Sequence, residues 1–334
     1  MVLALKTFAI ITTIQSPTKS VKLFQSALAA TSIPLIVVGD RKGPPDYPDW
    51  AYFLGIDSQF KLPFTLARLL PEKHYSRKNL GYLYCFSKGA ERLYETDDDN
   101  APLPNWAPKA SVADEARILF GGRWLNVYRH YTSINIWPRG LALEFINEVG
   151  ALGEISSVFS PVRQGLANGS PDVDAIWRLT MDSNVIFEPQ GTFSLSKNVW
   201  CPFNSQNTWW FKEAFPLMYL PSYVSFRMTD IWRSFVAQRC LWAMGTSLAF
   251  HEADVFQERN AHCLSKDFSD EVQGYLYNDK IAVVLEKLEL PGGSGQIMPN
   301  LLQCYDALVG MGVVPEKELP LVAAWVDDCK RFLI

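Results

Sequence analysis

The chain begins with the pattern of a β-strand, an α-helix and a second β-strand, which restricts it to an α/β architecture. Residues 7–14 and 34–39 are short and almost entirely apolar, and the first run is rich in β-branched side chains. Such runs are typical of parallel strands that are covered on both faces. Between them, Ser16 and Pro17 have the residue types of a helix N-cap and first helical position, and apolar residues recur at helical spacing through Leu28. We therefore predict a βαβ unit in a central, mostly parallel sheet.

The carboxyl ends of these two strands are candidate ligand-binding positions. In open α/β sheets ligands collect at the carboxyl ends of strands, and Thr12, Thr13 and Asp40 lie there in the sequence. The glycine pattern GxGxxG does not follow the first strand. This argues against a dinucleotide-binding domain of the usual kind.

Three consecutive aspartates follow a short apolar and aromatic run at residues 92–94. Carboxylates this close repel one another, and hard divalent cations such as Mg²⁺ and Mn²⁺ are their natural partners. In an extended chain Asp97 and Asp99 leave the same side, so both can face one metal ion while Asp98 points elsewhere. The alternative is an acidic turn that is simply solvated.

A pair of adjacent cations, Arg77 and Lys78, precedes an amphipathic segment that reads as a helix. Together with free N–H groups at the start of that helix, near Asn79, they form a suitable cradle for a diphosphate. The alternative is an exposed basic helix start that binds no ligand. In either case the cations lie one predicted helix away from the aspartates.

Composition excludes several classes of protein. The 334 residues carry a net charge of −4 without a long basic tract, which argues against nucleic-acid binding. No apolar run approaches the roughly 18 residues of a transmembrane helix and no secretory leader is recognised, so we expect a soluble chain. The six cysteines are scattered without a CxxC pair, which favours a reduced compartment such as the cytoplasm. The 11 tryptophans are expected to build core, although exposed indoles also stack on sugars.

Several blocks in this order resemble the STELLO proteins, a family of Golgi-associated glycosyltransferases of plants with relatives in other eukaryotes. The blocks are RKNLGY at 77–82, GA at 89–90, ETDDDN at 95–100, LNVYRHY at 125–131, IWPRG at 136–140, DVDAIWRLT at 172–180 and FQERNAH at 256–262. A more distant similarity, through the aspartate triplet, links this family to the reversibly glycosylated polypeptides, which are UDP-arabinopyranose mutases.

The resemblance implies a GT-A fold: a Rossmann-like, mostly parallel central sheet flanked by helices, in which a DxD motif holds Mn²⁺ or Mg²⁺ on the diphosphate of a UDP-sugar. We expect this catalytic domain at residues 1–265 and a helical C-terminal extension at 266–334. Asp97 and Asp99 would bind the metal ion, and Thr12, Thr13 and Asp40 the uridine. The donor-binding candidates are Thr12, Thr13, Asp40, Arg77, Lys78, Asn79, Asp98 and Arg259.

Three further carboxylates are candidates for contact with the sugars. Asp230 precedes an aromatic-rich helical pattern, where a general base of an inverting enzyme would take the proton of the acceptor hydroxyl. Asp172 and Asp174 repeat the one-residue spacing and could accept hydrogen bonds from sugar hydroxyls, and Asp174 is counted among the catalytic candidates. For each of these residues, capping of a helix N-terminus is the alternative.

Two histidines and an arginine complete the candidate set. GT-A enzymes often close the metal shell with a histidine late in the domain, and His251 and His262 both qualify. Arg259, beside His262, could clamp the leaving diphosphate. A structural, hydrogen-bonded role is the alternative for each histidine.

The interpretation is thus a metal-dependent glycosyltransferase that moves a sugar from UDP to a glycan hydroxyl. The first alternative is a UDP-sugar mutase, which would interconvert ring forms of the donor without an acceptor. The second is a non-catalytic scaffold protein that binds a UDP-sugar. The intact aspartate triplet and the cationic pair favour turnover over the scaffold.

Overall fold

A computed structural model describes residues 5–181, 183–258 and 263–333. The β-strands are β1 (Thr7–Thr12), β2 (Leu35–Val38), β3 (Ala51–Leu54), β4 (Arg92–Thr96), β5 (Asn100–Pro102), β6 (Ala113–Phe120), β7 (Ala151–Phe159), β8 (Val162–Gly169), β9 (Thr192–Leu195), β10 (Asn207–Phe211) and β11 (Leu248–Gln257). The α-helices are α1 (Lys19–Ala30), α2 (Ile56–Gln59), α3 (Leu66–Leu69), α4 (Lys78–Ser87), α5 (Ala175–Thr180), α6 (Thr229–Ala243), α7 (Leu264–Glu286), α8 (Ile297–Gly310) and α9 (Leu319–Leu333). Short 3₁₀ turns cover Tyr75–Arg77, Val127–His130, Leu143–Phe145, Lys212–Met218, Phe226–Met228, Ser294–Gln296 and Glu316–Glu318.

The strands form one central sheet in the order β3-β2-β1-β4-β10-β8-β11-β9-β6-β7, and β5 pairs with β11 off this path. The predicted α/β class, with a central sheet flanked by helices, is confirmed. The first four strands in this order run parallel to one another: β3, β2, β1 and β4. β10 then runs antiparallel between β4 and β8, and the far part of the sheet is mixed. The parallel arrangement that the first strands predict therefore holds for one end of the sheet.

The first βαβ unit is present, but its helix begins later than the sequence suggested. α1 starts at Lys19, and its N-cap is Thr18, whose hydroxyl accepts a hydrogen bond from Val21 N at 3.0 Å. Ser16 and Pro17 precede the helix instead of opening it. The reason is that Thr18 offers the same capping chemistry and, in addition, donates to the main chain of the aspartate triplet.

The C-terminal helices pack into the body of the molecule. Side chains of α7, α8 and α9 belong to the same hydrophobic cluster as residues of α4 and α6. Trp325 of α9 is fully buried, with its ring 5.8 Å from that of Phe86 in α4. A helical C-terminal region is as the sequence predicted, whereas the domain boundary at residue 265 stays a prediction. No helix in the part of the chain that the structure describes combines the length and apolar character needed to cross a bilayer.

The clustered tryptophans are core residues. Trp200, Trp209, Trp210, Trp232 and Trp242 are each at most 5% exposed. Four of the rings pack on other aromatic side chains, as in the contact of Trp200 with Trp242, whose centroids are 4.3 Å apart. Trp232 Nε1 donates to Asn278 Oδ1 at 2.9 Å. The interpretation of these indoles as core therefore holds, and none of the five presents an open face to a sugar.

Candidate active site

A cavity of about 250 Å³ opens at the end of β4. Its lining combines two sets of charged side chains. The acidic set is Asp97, Asp98, Asp99, Asp172 and Asp230, and the basic set is Arg139, Arg178 and Arg227. The remaining lining residues include Thr12, Tyr75, Ser205, Gln206, Phe226 and Gln257. Residues far apart in the sequence thus meet at one polar cleft.

The aspartate triplet lies in a turn between β4 and β5, and not on an extended strand. The hydroxyls of Thr18 and Ser20, at the start of α1, donate to the main-chain oxygens of Asp98 and Asp99. Because the chain turns there, all three residues line the cavity. The triplet therefore does not have the alternation of an extended strand, on which the predicted side-chain directions depended.

Two of these carboxylates are held by neighbouring polar side chains. Thr13 Oγ1 donates to Asp98 Oδ2. Burial raises the pKa of Asp98, and the hydrogen bond from Thr13 acts against that rise. Gln257 Nε2 donates to Asp99 Oδ2 at 3.0 Å, and Gln257 in turn accepts from Gln206 Nε2. The triplet is therefore positioned from β1 on one side and from β11 on the other.

The carboxyl group of Asp97 has a pKa well above its ordinary value. Burial raises its pKa to about 8; Lys78 opposes this rise, and the neighbouring charges of Asp99, Asp98 and Asp230 add to it. A carboxyl group with such a pKa is substantially protonated near pH 7 unless more positive charge reaches it. A cation at this point of the cavity would relieve the repulsion.

Among the residues that the structure describes, Lys78 is a cation in contact with the triplet, and it is fully buried. Its Nζ donates to Thr96 O at 3.0 Å and lies 3.6 Å from both Glu95 Oε1 and Asp97 Oδ1. Tyr75 Oη is 3.4 Å away. This position makes Lys78 an internal counter-ion of Glu95 and Asp97.

The structure does not bring Arg77 or Asn79 to the cavity. The buried guanidinium of Arg77 donates to Gln59 Oε1 at 2.6 Å and to Leu70 O at 3.0 Å. Asn79 exchanges two hydrogen bonds with the main chain of Leu220, at 2.8 and 2.9 Å. Both side chains hold the start of α4 against neighbouring segments, because successive helical residues point in different directions and, of these three, Lys78 faces β4.

Arg139 joins two carboxylates of the cavity. It contacts Asp172 through Nε and Nη2, at 2.8 and 2.7 Å, and Asp230 through Nη1 and Nη2, at 3.0 and 2.9 Å. Burial acts to raise the pKa of Asp230, but the charge and hydrogen bonds of Arg139 outweigh it, and the pKa is lowered. Asp230 is thus ionised and paired, which suits a residue that orients Arg139 better than one that accepts a proton.

The three arginines of the cavity were missed by reasoning from the sequence. Arg139 and Arg178 lie inside the blocks IWPRG and DVDAIWRLT that carry the family resemblance, and Arg227 is three residues from Asp230. Arg227 Nη2 is 2.7 Å from Glu271 Oε1, and Arg178 Nη2 donates to Pro171 O at 2.6 Å. Their positions within or beside the blocks were the available signal, but only tertiary structure shows that they share a cavity.

Asp174 and His251 lie outside the cavity lining. Asp174 is the N-cap of α5: its Oδ1 accepts from Trp177 N at 2.8 Å and its Oδ2 from Trp137 Nε1 at 2.6 Å. Burial raises the pKa of Asp174 to about 6. His251 lies within β11, with Nδ1 3.0 Å from Glu252 O. For both residues the structure shows the capping or structural role that had been the alternative.

The nucleotide candidates divide between two places. Thr12 lines the cavity, and its hydroxyl donates to Val38 O at 3.0 Å. Asp40 instead accepts from the main-chain N–H groups of Arg41 and Lys73, at 2.6 and 3.0 Å, and holds their loops together. Two other candidates, Arg259 and His262, lie outside the described residues.

Among the described residues, few side chains are placed to bind a divalent cation. Across residues 5–181, 183–258 and 263–333, no group of three or more histidine, cysteine, aspartate or glutamate side chains is arranged to hold a metal ion. Mg²⁺ sites of phosphate-transferring enzymes commonly use one or two carboxylates, with substrate phosphates and water completing the shell. Asp97 and Asp99 fit such a site, because both line one cavity and the pKa of Asp97 is raised, mainly by burial and further by the neighbouring carboxylates.

Comparison with known proteins gives matches over most of the chain. A family model described as STELLO glycosyltransferases matches residues 227–333. Two proteins of Arabidopsis thaliana are each 27% identical to the chain: the probable glycosyltransferase STELLO2 over 319 residues and the probable glycosyltransferase STELLO1 over 321 residues. Each alignment covers 88% of this chain and 41% of the relative, so the chain spans about two fifths of the length of these curated relatives.

A solved structure, glucosyl-3-phosphoglycerate synthase of M. tuberculosis, aligns with 90% of this chain and 80% of its own, at 9% identity and a TM-score of 0.35. A similarity of that size carries no inference about fold or function. The sequence matches do carry one, since they confirm the resemblance that the sequence blocks predicted. The chain is similar to the STELLO glycosyltransferases over most of its length.

Proposed function

We propose that this chain is a metal-dependent glycosyltransferase of the GT-A type, which moves a sugar from a UDP-sugar to a hydroxyl group of a glycan acceptor. The observation that carries the proposal is the meeting of the aspartate triplet with three arginines around one cavity. Carboxylates that gather a cation and guanidinium groups that pair with phosphate oxygens suit a nucleoside diphosphate. The sequence relationship to probable glycosyltransferases supports the same reaction class.

Asp97 and Asp99 would hold Mn²⁺ or Mg²⁺. When bound, the metal ion would supply positive charge for the departing UDP. Lys78 keeps Asp97 in place through a contact of 3.6 Å, and Gln257 does the same for Asp99 through a hydrogen bond of 3.0 Å. The protein thus presents two oriented carboxylates on a turn that neighbouring elements fix.

The arginines replace the cations that the sequence suggested for the diphosphate. Arg178 and Arg227 line the cavity, whereas the guanidinium of Arg77 lies away from it and donates to Gln59 and Leu70. A planar guanidinium presents paired N–H groups that match phosphate oxygens. We assign the diphosphate to Arg178 and Arg227, and the uridine to the end of β1 at Thr12.

Asp230 acts through Arg139 in this proposal. A base must accept the proton of the acceptor hydroxyl, and a carboxylate whose pKa a bound arginine lowers accepts protons poorly. Asp230 and Asp172 instead fix the guanidinium of Arg139 from two sides. We therefore place Asp230 as a positioning residue at the site.

A thermal-shift experiment with UDP and Mn²⁺ tests the proposal. A ligand that binds only the folded state raises the melting temperature with the logarithm of its saturation. We expect UDP to raise it with Mn²⁺ present, and Asp97→Asn to abolish that rise. The unliganded variant should melt at the same temperature or higher, because the substitution removes a charge that burial disfavours.

The matched control is Asp327→Asn, which removes an aspartate with a 70% exposed side chain on α9 and should leave the UDP response intact. A Mn²⁺-dependent response that persists in an Asp97→Asn, Asp99→Asn double variant would contradict the metal assignment. Product analysis then separates the reactions. Release of UDP with a lengthened glycan indicates transfer, whereas a changed ring form of the donor sugar without an acceptor indicates a mutase.

A further inference from the structure

Phe226 is the exposed aromatic residue of the cavity lining. Its side chain lines the cavity beside Arg227 and Asp230, yet it is 56% exposed. Its ring meets that of Tyr75 in an edge contact, with centroids 5.9 Å apart and planes at 73°. Since the clustered tryptophans are buried, Phe226 is the ring that presents an open face beside this polar cleft.

The exposure of Phe226 is not the result of a loosely held loop. The 3₁₀ turn Phe226–Met228 is fixed at several points. Arg139 Nη1 donates to Arg227 O, and the Arg227 guanidinium pairs with the buried carboxylate of Glu271. Met228 is buried, and Ser225 donates to Asp270 O in α7. The chain therefore holds the ring of Phe226 at the cavity in a defined position.

An occupant that covers this ring gains free energy from doing so. Covering a phenylalanine side chain removes apolar surface from water, which is favourable, and about half of the surface of Phe226 is open. The same occupant must satisfy the charged groups nearby, because a polar group that is buried without a partner costs more than the contact returns. The best occupant has one apolar face and a polar edge.

A sugar ring has one apolar face, formed by C–H groups, and a polar edge, formed by hydroxyl groups. The hydroxyls could donate to Asp172 and accept from Arg139, which both line the cavity. A purely apolar chain would remove water from the Arg139–Asp172 pair without offering it a hydrogen bond, and a small anion would leave the ring of Phe226 uncovered. We propose that Phe226 is a platform on which a sugar ring of the acceptor packs, an inference that rests on the proposed function.

The platform is assigned to the acceptor because of the element that carries it. Phe226 lies in the turn that leads into α6, next to Arg227, which is assigned to the diphosphate, whereas the uridine is assigned to Thr12 at the end of β1. A platform for the nucleobase would instead make UDP binding depend on Phe226. The two assignments therefore predict different behaviour of one variant.

Saturation-transfer NMR of the full chain provides the test, with the methyl glycosides of glucose, galactose, mannose and xylose as probes in the presence of UDP and Mn²⁺. We expect at least one glycoside to show strong transfer to the C–H protons of one ring face. Phe226→Ala should reduce that transfer severalfold while the UDP signals stay unchanged. Phe226→Tyr should retain it, because the apolar face is kept.

Phe120→Ala is the matched control, since Phe120 on β6 is 45% exposed and does not line the cavity. It should leave both sets of signals unchanged. The platform is overturned if Phe226→Ala leaves the glycoside signals as they are, if no glycoside gives a signal with the wild type, or if UDP and glycoside signals fall together. Absence of UDP signals from the wild-type protein would instead refute the proposed function. The melting temperature of each variant shows whether it is folded.

Discussion

His251 shows how the surroundings of a residue decide its role. Its side chain is buried within β11, and Nδ1 lies 3.0 Å from Glu252 O and 3.7 Å from Asp254 Oδ2. Burial lowers the pKa of His251 to about 4; Asp254 opposes this shift, whereas the positive charges of Lys109 and Arg163 add to it. The ring is therefore neutral at pH 7 and belongs to the interior of the sheet.

This shift makes His251 a source of acid sensitivity. In the unfolded chain the imidazole takes up a proton near pH 6.5, whereas in the folded chain it stays neutral down to about pH 4. The unfolded state binds more protons in this window, so stability falls as the pH falls from about 6.5 to about 4. The loss attributable to His251 is about 3 kcal/mol.

We expect His251→Phe, which cannot titrate, to flatten the dependence of unfolding free energy on pH between 7 and 4. Urea denaturation at several pH values measures the slope in wild type and variant. His130→Phe is the control, because it makes the same replacement at a partly buried position and leaves His251 in place. An equal slope in wild type and His251→Phe would show that this ring does not titrate as described.

At the scale of elements, the predictions from periodicity are the ones that hold. α7, α8 and α9 follow apolar residues at helical spacing, and α6 begins one residue before Asp230, as the pattern indicated. The conformation of the aspartate triplet could not be predicted in the same way. It depends on Thr18 and Ser20, which lie about 80 positions away and fix the main chain of the turn. Local patterns carry no information about such contacts.

A buried ionic network joins β4 to α4 and α6 and could not be predicted either. Glu95, on β4, is fully buried and accepts from Arg233 Nη1 at 3.0 and 2.9 Å and from Trp210 Nε1 at 2.9 Å. Lys78 Nζ is 3.6 Å away. The sequence shows Glu95 only as the acidic neighbour of the triplet. Its role as the counter-ion that holds α6 behind the active site appears only in three dimensions.

Loss of one partner of this network should be costly. Glu95→Leu leaves the guanidinium of Arg233 without its carboxylate in a buried place, and we expect it to lower the unfolding free energy by about 3–5 kcal/mol. The double variant Glu95→Leu, Arg233→Met should be less destabilised than the single one, because the guanidinium that lost its carboxylate is also removed, while Lys78 keeps Asp97 as a partner. Urea denaturation measures both.

Glu154→Gln is the control for this comparison, since Glu154 is exposed on β7 and should change stability by about 0.5 kcal/mol or less. A single variant that loses no more than this control would mean that the network contributes little to stability. A double variant less stable than the single one would show that packing, and not charge, dominates at this place.

At the scale of the whole molecule, the sequence predicted the class of fold but not its full topology. The parallel end, β3-β2-β1-β4, follows from apolar runs in the first part of the chain. The insertion of β10 between β4 and β8 could not be predicted, because strand pairing over such separations depends on packing between distant segments. Arg139, Arg178 and Arg227 reach the cavity through this same long-range arrangement, which explains why the carboxylates were found and the arginines were not.

The relation of the C-terminal helices to the rest of the chain is open to a direct test. Trp325 of α9 contacts Phe86 of α4 and donates to Pro216 O at 2.8 Å, and Asp328 accepts from the main-chain N–H groups of Thr65 and Leu66 at 3.0 and 2.9 Å.

Because these contacts cross the predicted boundary at residue 265, we expect both regions to unfold together. Far-ultraviolet circular dichroism and tryptophan fluorescence should report one coincident transition. Trp325→Ala should lower the free energy of that single transition by about 3–5 kcal/mol. Two separate transitions, with only the first affected by Trp325→Ala and UDP binding retained after it, would instead show that residues 266–334 are an independent appendage.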